Sequence, residues 1–431
     1  MARRSVLVCG VLLLLGTVCK ANKDYDNYTL IRLKPNSEEQ ALVANAINDT
    51  EIDVLKISRG QNDTIDLLVP PSRVNYTRSF ADLNNLGFEV KQEHYGRSLS
   101  ETGPPESPEL DELPRAVRTA RRSHRRSFNL YGYNSYKDIL EFQDTVARRR
   151  PELVQVEDFG TSYQGRRMKL TKISKDPSAG NPIIFIDAGI HAREWVAPSM
   201  ALYLIHRLTN DPGAVSNELD GIDWYILPVV NPDGYEFSRA SKFNRMWRKT
   251  RSENAFSCYG VDGNRNYGFK WAVSGVSNNP CNGETYAGPK PFSEPETRIV
   301  RNIMMKNSQR MKLYVSMHSY GNYLVYPWGY TGDYLPKEWK KLDSLARSVS
   351  KAVESAGGQP FKVLSAGKWY PAAGGSDDFA FGVVGVPYSY TMELTDGYEF
   401  TYPENLLKST LPQFYEGFKA FKENIKREYN P

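Results

Sequence analysis

The chain has 431 residues, 40% of them hydrophobic and 24% charged. That composition is ordinary for a globular protein and long enough for a large core. A formal charge of +5 is too mild to suggest a nucleic-acid partner. Met1-Ala2-Arg3-Arg4 precedes an apolar block at 6–18, shorter than the roughly 20 residues that cross a bilayer. Residues 1–21 therefore read as a secretory signal, cut between Cys19 and Asn22 and directing the chain to an extracellular location. No other segment is read as a membrane span. Cys9 and Cys19 leave with that signal, so Cys258 and Cys281 are expected to pair in an oxidising compartment.

Residues 22–114 carry strands at 28–33, 53–57, 64–69 and 87–91, with helices at 37–46 and 75–86. The order β-α-β-β-α-β is that of a small α+β, split-βαβ domain. It is acidic, with 17 Asp and Glu against 9 Lys and Arg, and it holds the chain's four N-x-S/T sequons, at Asn27, Asn48, Asn62 and Asn75. These are glycosylation candidates in a secreted protein. A Pro- and Glu-rich stretch at 101–114 leads into the linker 115–126, with Arg115, Arg118, Arg121, Arg122, Arg125 and Arg126. Such a run can be a solvated helix face. Its place between two domains points instead to nicking by a trypsin-like protease after Arg126 or Arg122.

Residues 127–431 form one large domain. A helix is expected at 136–149 and buried strands at 183–186, 223–227, 313–317 and 388–392, with amphipathic segments at 199–208, 294–306, 339–356 and 411–425. This alternation predicts an α/β fold, a mixed, mostly parallel sheet with helices on both faces. The strand at 183–186 ends at Gly189, and the chain then turns through His191-Ala192-Arg193-Glu194. One imidazole and one carboxylate thus sit at the carboxyl end of a strand, where open α/β sheets place their sites. A lone H-x-x-E is weak evidence for a metal. His206 falls inside an amphipathic helix and reads as structural, whereas His318 directly follows the strand at 313–317. His191, Glu194 and His318 are therefore the candidate set for a catalytic zinc, which takes three protein ligands and keeps one position open. No second ligand set is evident.

Seven segments in order carry a resemblance: HARE (191–194), VVNPDGYEFS (229–238), DGNRN (262–266), PFSEPET (291–297), MHSYG (317–321), YPAAGGSDDF (370–379) and TMELTD (391–396). Together they resemble zinc carboxypeptidases of the pancreatic, A/B type, and the acidic pro-domain with its basic linker is similar to the zymogen layout of that family. The resemblance implies one Zn2+ held by His191, Glu194 and His318, with Glu393 as general base. Asp262 is implied to orient the far nitrogen of His191, and Arg248 to face the developing oxyanion. Asn264 and Arg265 are implied to clamp the substrate's terminal carboxylate, Tyr370 to close over the terminal residue, and Arg193, Ser319 and Tyr320 to contact residues upstream. Read from its residues alone, Asn264 in D-G-N is also an ordinary turn residue.

Asp377 aligns with the position that separates the branches of that family, and an Asp there goes with C-terminal Lys or Arg. Three residues depart from the basic branch: Gly329 stands for Ser, Ser365 for Gly, and Trp369 for an aliphatic residue. Thr395 also replaces the Arg of the family's ELRD. An apolar, aromatic or broad preference is the alternative, and a non-catalytic binder of C-termini is a further one. The last would be expected to lose a metal ligand or the base, and all four residues are present. The implied partners are peptide or protein C-termini, an activating trypsin-like protease and protein inhibitors, with neither nucleic acid nor membrane.

Overall fold

The computed structural model describes residues 23–45, 47, 49, 51–56, 63–102 and 128–430. The signal, the arginine run with its cleavage candidates Arg122 and Arg126, and two sequons, Asn48 and Asn62, lie outside the described residues. The other two sequons, Asn27 and Asn75, are exposed. No described helix is long and apolar enough to cross a membrane.

The N-terminal unit has strands β1 (Thr29–Lys34), β2 (Asp53–Lys56), β3 (Ile65–Val69) and β4 (Gly87–Gln92), with helices Glu38–Asn45 and Val74–Leu83 in the expected places. The sheet order is β2-β3-β1-β4, and every pairing is antiparallel. Alternation along the strands gives it two apolar faces. Ile31, Leu33, Leu67 and Val69 pack with Ala44 and Ala81 under the helices. Leu30 and Leu68 point the other way, onto Tyr320 and Phe400 of the large domain. The helix Gly96–Thr102 was not expected; its end reaches the Pro- and Glu-rich stretch that begins at 101.

The large domain is built on eight strands: β5 (Val154–Thr161), β6 (Arg167–Ile173), β7 (Ile183–Ala188), β8 (Asp223–Leu227), β9 (Met311–Ser319), β10 (Tyr323–Tyr326), β11 (Lys362–Ser365) and β12 (Tyr388–Leu394). Their order is β11-β10-β12-β9-β7-β8-β6-β5. The central pairs β12–β9, β9–β7 and β7–β8 and the edge pair β10–β11 are parallel. The pairs β5–β6, β6–β8 and β10–β12 are antiparallel, so the sheet is mixed and mostly parallel, as predicted.

Every residue of β7 is buried, because both faces are covered. Ile184 and Ile186 join one core with the helices Tyr136–Arg149, Val196–Asn210, Trp339–Ser355 and Glu404–Tyr429. Ile183 and Phe185 join the opposite core, against Pro295–Lys306. The first helix starts where Ser135 accepts a hydrogen bond from the backbone of Asp138. The last begins seven residues before the expected position 411 and continues through Pro412. Burial of Leu407 and Leu411 outweighs the hydrogen bond a proline removes.

Candidate active site

Gly189, at φ 66°, turns the chain sharply off the end of β7. A Cβ there would lie 3.0 Å from Pro198 Cγ, so the turn packs directly on the following helix. The Ala192 N–H donates to the Arg248 carbonyl at 2.9 Å, fastening the HARE turn to the segment around Arg248. His318 arrives from β9, so two strands paired in parallel deliver the two imidazoles.

The three expected ligands converge. His191 Nδ1 lies 2.7 Å from Glu194 Oε1, while His318 Nδ1 lies 3.1 Å from both Glu194 Oε2 and His191 Nδ1. All three side chains are buried. The outer nitrogens explain what faces inward. His191 Nε2 is 3.0 Å from Asp262 Oδ1, and an ionised carboxylate only accepts, so the proton sits on Nε2 and Nδ1 offers a lone pair. His318 Nε2 is 3.1 Å from Ser316 Oγ, whose own hydrogen goes to Asp187 Oδ1 at 2.7 Å. Ser316 must therefore accept, and His318 Nδ1 too is left with a lone pair. Two nitrogen lone pairs and a carboxylate pointed at one another require a cation between them, and imidazole and carboxylate donors suit zinc.

Electrostatics point the same way. Burial opposes the charge on Glu194, but His191 and His318 outweigh it and hold the carboxyl well below its usual range. Burial would likewise lower His318, yet Glu194 raises it to about 9.

The β9–β12 register pairs His318 with Glu393, and the β10–β12 register pairs Tyr323 with Glu393. Glu393 thus stands beside the triad without being part of it. Burial pushes its carboxyl up to about 8, with Glu194 adding to the rise and His318, Arg248 and Arg265 opposing it. A dication at the triad would draw it down again.

Asp262 is the hub of the remaining charges. Its Oδ1 meets His191 and the Asn264 N–H, and its Oδ2 accepts from Arg248 Nη2 at 2.9 Å. Burial opposes its ionisation, and Arg248, His191 and Arg265 outweigh burial, so it stays ionised far below the usual range. Arg248 also donates Nε–H to the Glu284 carbonyl at 2.9 Å. Asn264 is both a turn residue and an anchor: Asp262 caps its turn, and its Oδ1 accepts the Ser376 N–H at 3.0 Å. Arg265 lies 5.6 Å from the Tyr370 ring centre.

Asp377 is buried on the short helix Ser376–Phe379. Thr391, two residues before Glu393 on the same face of β12, donates to it. Burial raises its pKa, with the backbone N–H of Asp378 and the charge of His318 opposing the rise. Asp378 instead accepts the N–H groups of Gly329 and Tyr330 at 2.8 and 2.9 Å, which is a structural task. The Cys258–Cys281 disulfide is formed. His206 stands apart from the site, on the Val196–Asn210 helix.

Above the triad lies a cavity of about 190 Å³ lined by Arg193, Arg248, Arg265, Ser319, Tyr320, Tyr370 and Glu393, and closed on its outer side by Val54 and Leu55 of the N-terminal unit. Asp377, Asn264 and the two histidines are not among the residues lining it. Tyr320 donates to Asp66 Oδ2 at 3.0 Å, and Asp66 is paired with Arg32 at 2.6 and 2.8 Å. Two residues here escaped the sequence reading. Glu284 receives both ends of Arg193, at 2.9 and 2.6 Å, and Phe400 lies 4.2 Å beneath the Arg193 guanidinium. No local pattern marks either. The Tyr314-Ser316-His318 alternation, by contrast, was a readable sign of a polar strand face.

The sequence matches the zinc carboxypeptidase family over residues 139–417 and the carboxypeptidase activation peptide over residues 31–102. It is 43% identical over 303 residues to carboxypeptidase B of Astacus astacus, covering 69% of this chain and 98% of that one. It is 31% identical over 407 residues to carboxypeptidase A2 of Rattus norvegicus, covering 92% and 93%. The fold is similar to the crystal structure of carboxypeptidase A from Helicoverpa armigera, with TM-score 0.80, 28% identity and 94% and 98% of the two chains covered. The chain belongs to the zinc carboxypeptidase family and has the architecture of its zymogens: an activation peptide followed by a metallopeptidase domain. Relatives of both the A and B types leave the preferred C-terminal residue open.

Proposed function

We infer that the chain is secreted as a zymogen. Residues 1–21 are its signal, 22–114 its pro-domain and 115–126 its linker; a trypsin-like protease cuts after Arg126 or Arg122 to free the peptidase domain at 127–431. The released enzyme removes C-terminal Lys or Arg from peptides and proteins. The observation that carries the preference is Asp377, a buried carboxylate whose side-chain donor, Thr391, lies on β12, the strand of Glu393. A substrate's basic side chain would pair with it, whereas a Phe side chain would leave the carboxylate buried and alone.

One zinc held by His191, Glu194 and His318 supplies Lewis acidity at the scissile carbonyl. Glu393, close by and free of the ligand set, takes a proton from the attacking water and returns it to the leaving amine. Arg248, already held by Asp262 and the Glu284 carbonyl, donates to the oxyanion as it forms. Asn264 and Arg265 bind the terminal carboxylate, Tyr370 covers it, and Arg193, Ser319 and Tyr320 contact the upstream residues. In the zymogen, Val54 and Leu55 occupy the approach, and Asp66 engages Tyr320.

The test is to treat the secreted protein with trypsin and compare peptides ending in Arg, Lys, Phe and Leu, with and without a chelator. Faster loss of Phe or Leu overturns the basic preference. Activity that survives full removal of metal overturns the mechanism. The A-type alternative draws support from Gly329, Ser365 and Trp369.

A further inference from the structure

Trp369 is the last residue of the short helix Ala366–Trp369, and Tyr370 follows it in extended conformation. The indole lies against Tyr323, with ring centres 4.6 Å apart and planes 21° from parallel. Its other neighbour is the Tyr370 ring, at 4.5 Å and 57°. Tyr323 cannot yield easily: it is buried on β10, hydrogen-bonded in register with Glu393. Lys362 Nζ stands 4.9 Å from its ring. At the far end, Tyr370 meets Arg265. Trp369 and Tyr370 both line the active-site cavity. The indole N–H is buried and has no hydrogen-bond partner among the described residues. Packing against the two rings and the cluster with Val325 and Ala366, and not a hydrogen bond of the indole, therefore orients Trp369.

We propose that Trp369 is a positioning residue for the C-terminal subsite: wedged against Tyr323, it holds the Tyr370 ring beside Arg265, ready to cover a bound carboxylate. This rests on the reading of Arg265 and Tyr370 as clamp and cap. An aliphatic side chain offers no face for either ring, so Tyr370 would range more widely and its ordering would be deferred to substrate binding. The effect therefore belongs in KM, with the chemical step spared.

The test uses the trypsin-activated enzyme carrying Trp369→Leu, Trp369→Phe, Tyr370→Ala and the Leu–Ala double variant, assayed on one peptide with zinc content matched. Trp369→Leu is expected to raise KM about tenfold and leave kcat within about twofold, the size a lost aromatic pair allows. Trp369→Phe, which keeps a ring, is expected to restore most of the difference. In the Tyr370→Ala background, Trp369→Leu is expected to add no more than about twofold, since its partner is gone. A full tenfold effect persisting in that background, or unchanged kinetics in Trp369→Leu, overturns the proposal. If Tyr370→Ala alone leaves KM untouched, the capping role itself is wrong, a distinct result that removes the proposal's basis. Trp369→Met serves as a second ring-free variant should the Leu protein fail to accumulate.

Discussion

Replacing Asp377 by Ile tests the substrate assignment most directly. The native carboxylate is buried, with Thr391 as its side-chain donor and burial working against its charge. When a C-terminal Arg fills the pocket, the two charges neutralise each other away from water. Removing one member of a buried pair costs about 3–5 kcal/mol, because the other remains buried and uncompensated. That corresponds to a fall of about 10² to nearly 10⁴ in kcat/KM for peptides ending in Arg. Peptides ending in Phe should gain, since the substitution removes a polar group they would otherwise leave alone. The assay is kcat/KM on matched peptides differing only in the last residue, with thermal unfolding as a control. The free enzyme should be no less stable than the parent: a carboxyl whose folded pKa lies above its ordinary value opposes folding once ionised, and Ile abolishes that opposition. If the Arg-to-Phe ratio stays the same while the protein folds normally, selectivity is set elsewhere.

Three further outcomes follow from the geometry. Asp262→Asn keeps an acceptor for His191 but loses the charge that balances Arg248; it should weaken zinc binding about 10- to 100-fold in competition with a chelator. Arg248→Ala should lower kcat about 10²- to 10³-fold, measured at saturating substrate with zinc content confirmed. Glu399 lies 3.4 Å from Arg32 at the junction of the two domains, and burial, then Asp66, raises its carboxyl to about 7 against the pull of Arg32. Because a raised acid stabilises the assembled state only while protonated, the cleaved pro-domain should grip the enzyme fully below its ordinary value of 4.5 and lose that contribution as pH rises through about 7. Residual inhibition by the released pro-domain across this range measures it, and Glu399→Gln should flatten the profile.

Strands buried on both faces were legible because they are short, β-branched and continuous: Asp223–Leu227 appears where the pattern put it, and Ile183–Ala188 extends its strand by two residues. Val154–Thr161 and Arg167–Ile173 were not read, because this antiparallel edge hairpin exposes much of its length and mixes charges with apolar residues. Tyr323–Tyr326 and Lys362–Ser365 are too short to show a period. Within the site, His191, Glu194 and His318 were named from their motifs and come together, with Glu393 paired beside His318. Glu284, Phe400 and the Arg32–Asp66 pair were not, since each acts through a neighbour distant in sequence, and nothing local distinguishes such a residue from any surface charge or ring.

What joins fold to chemistry is the parallel pairing of β9 with β12. It fixes His318 and Glu393 as cross-strand neighbours, so their separation is a property of the sheet and not of any loop. A slip of one residue in either strand would turn one of the two side chains to the opposite face and leave the other where it is. The buried apolar positions alternating with them, Met317 in β9 and Met392 in β12, forbid that slip because they belong to the core beneath. The division of labour between a ligated His318 and an unligated Glu393 is therefore maintained by the same hydrophobic burial that holds the domain together. Tyr370 and Arg193, which line the cavity from outside the two strands, do not set the geometry of that pair.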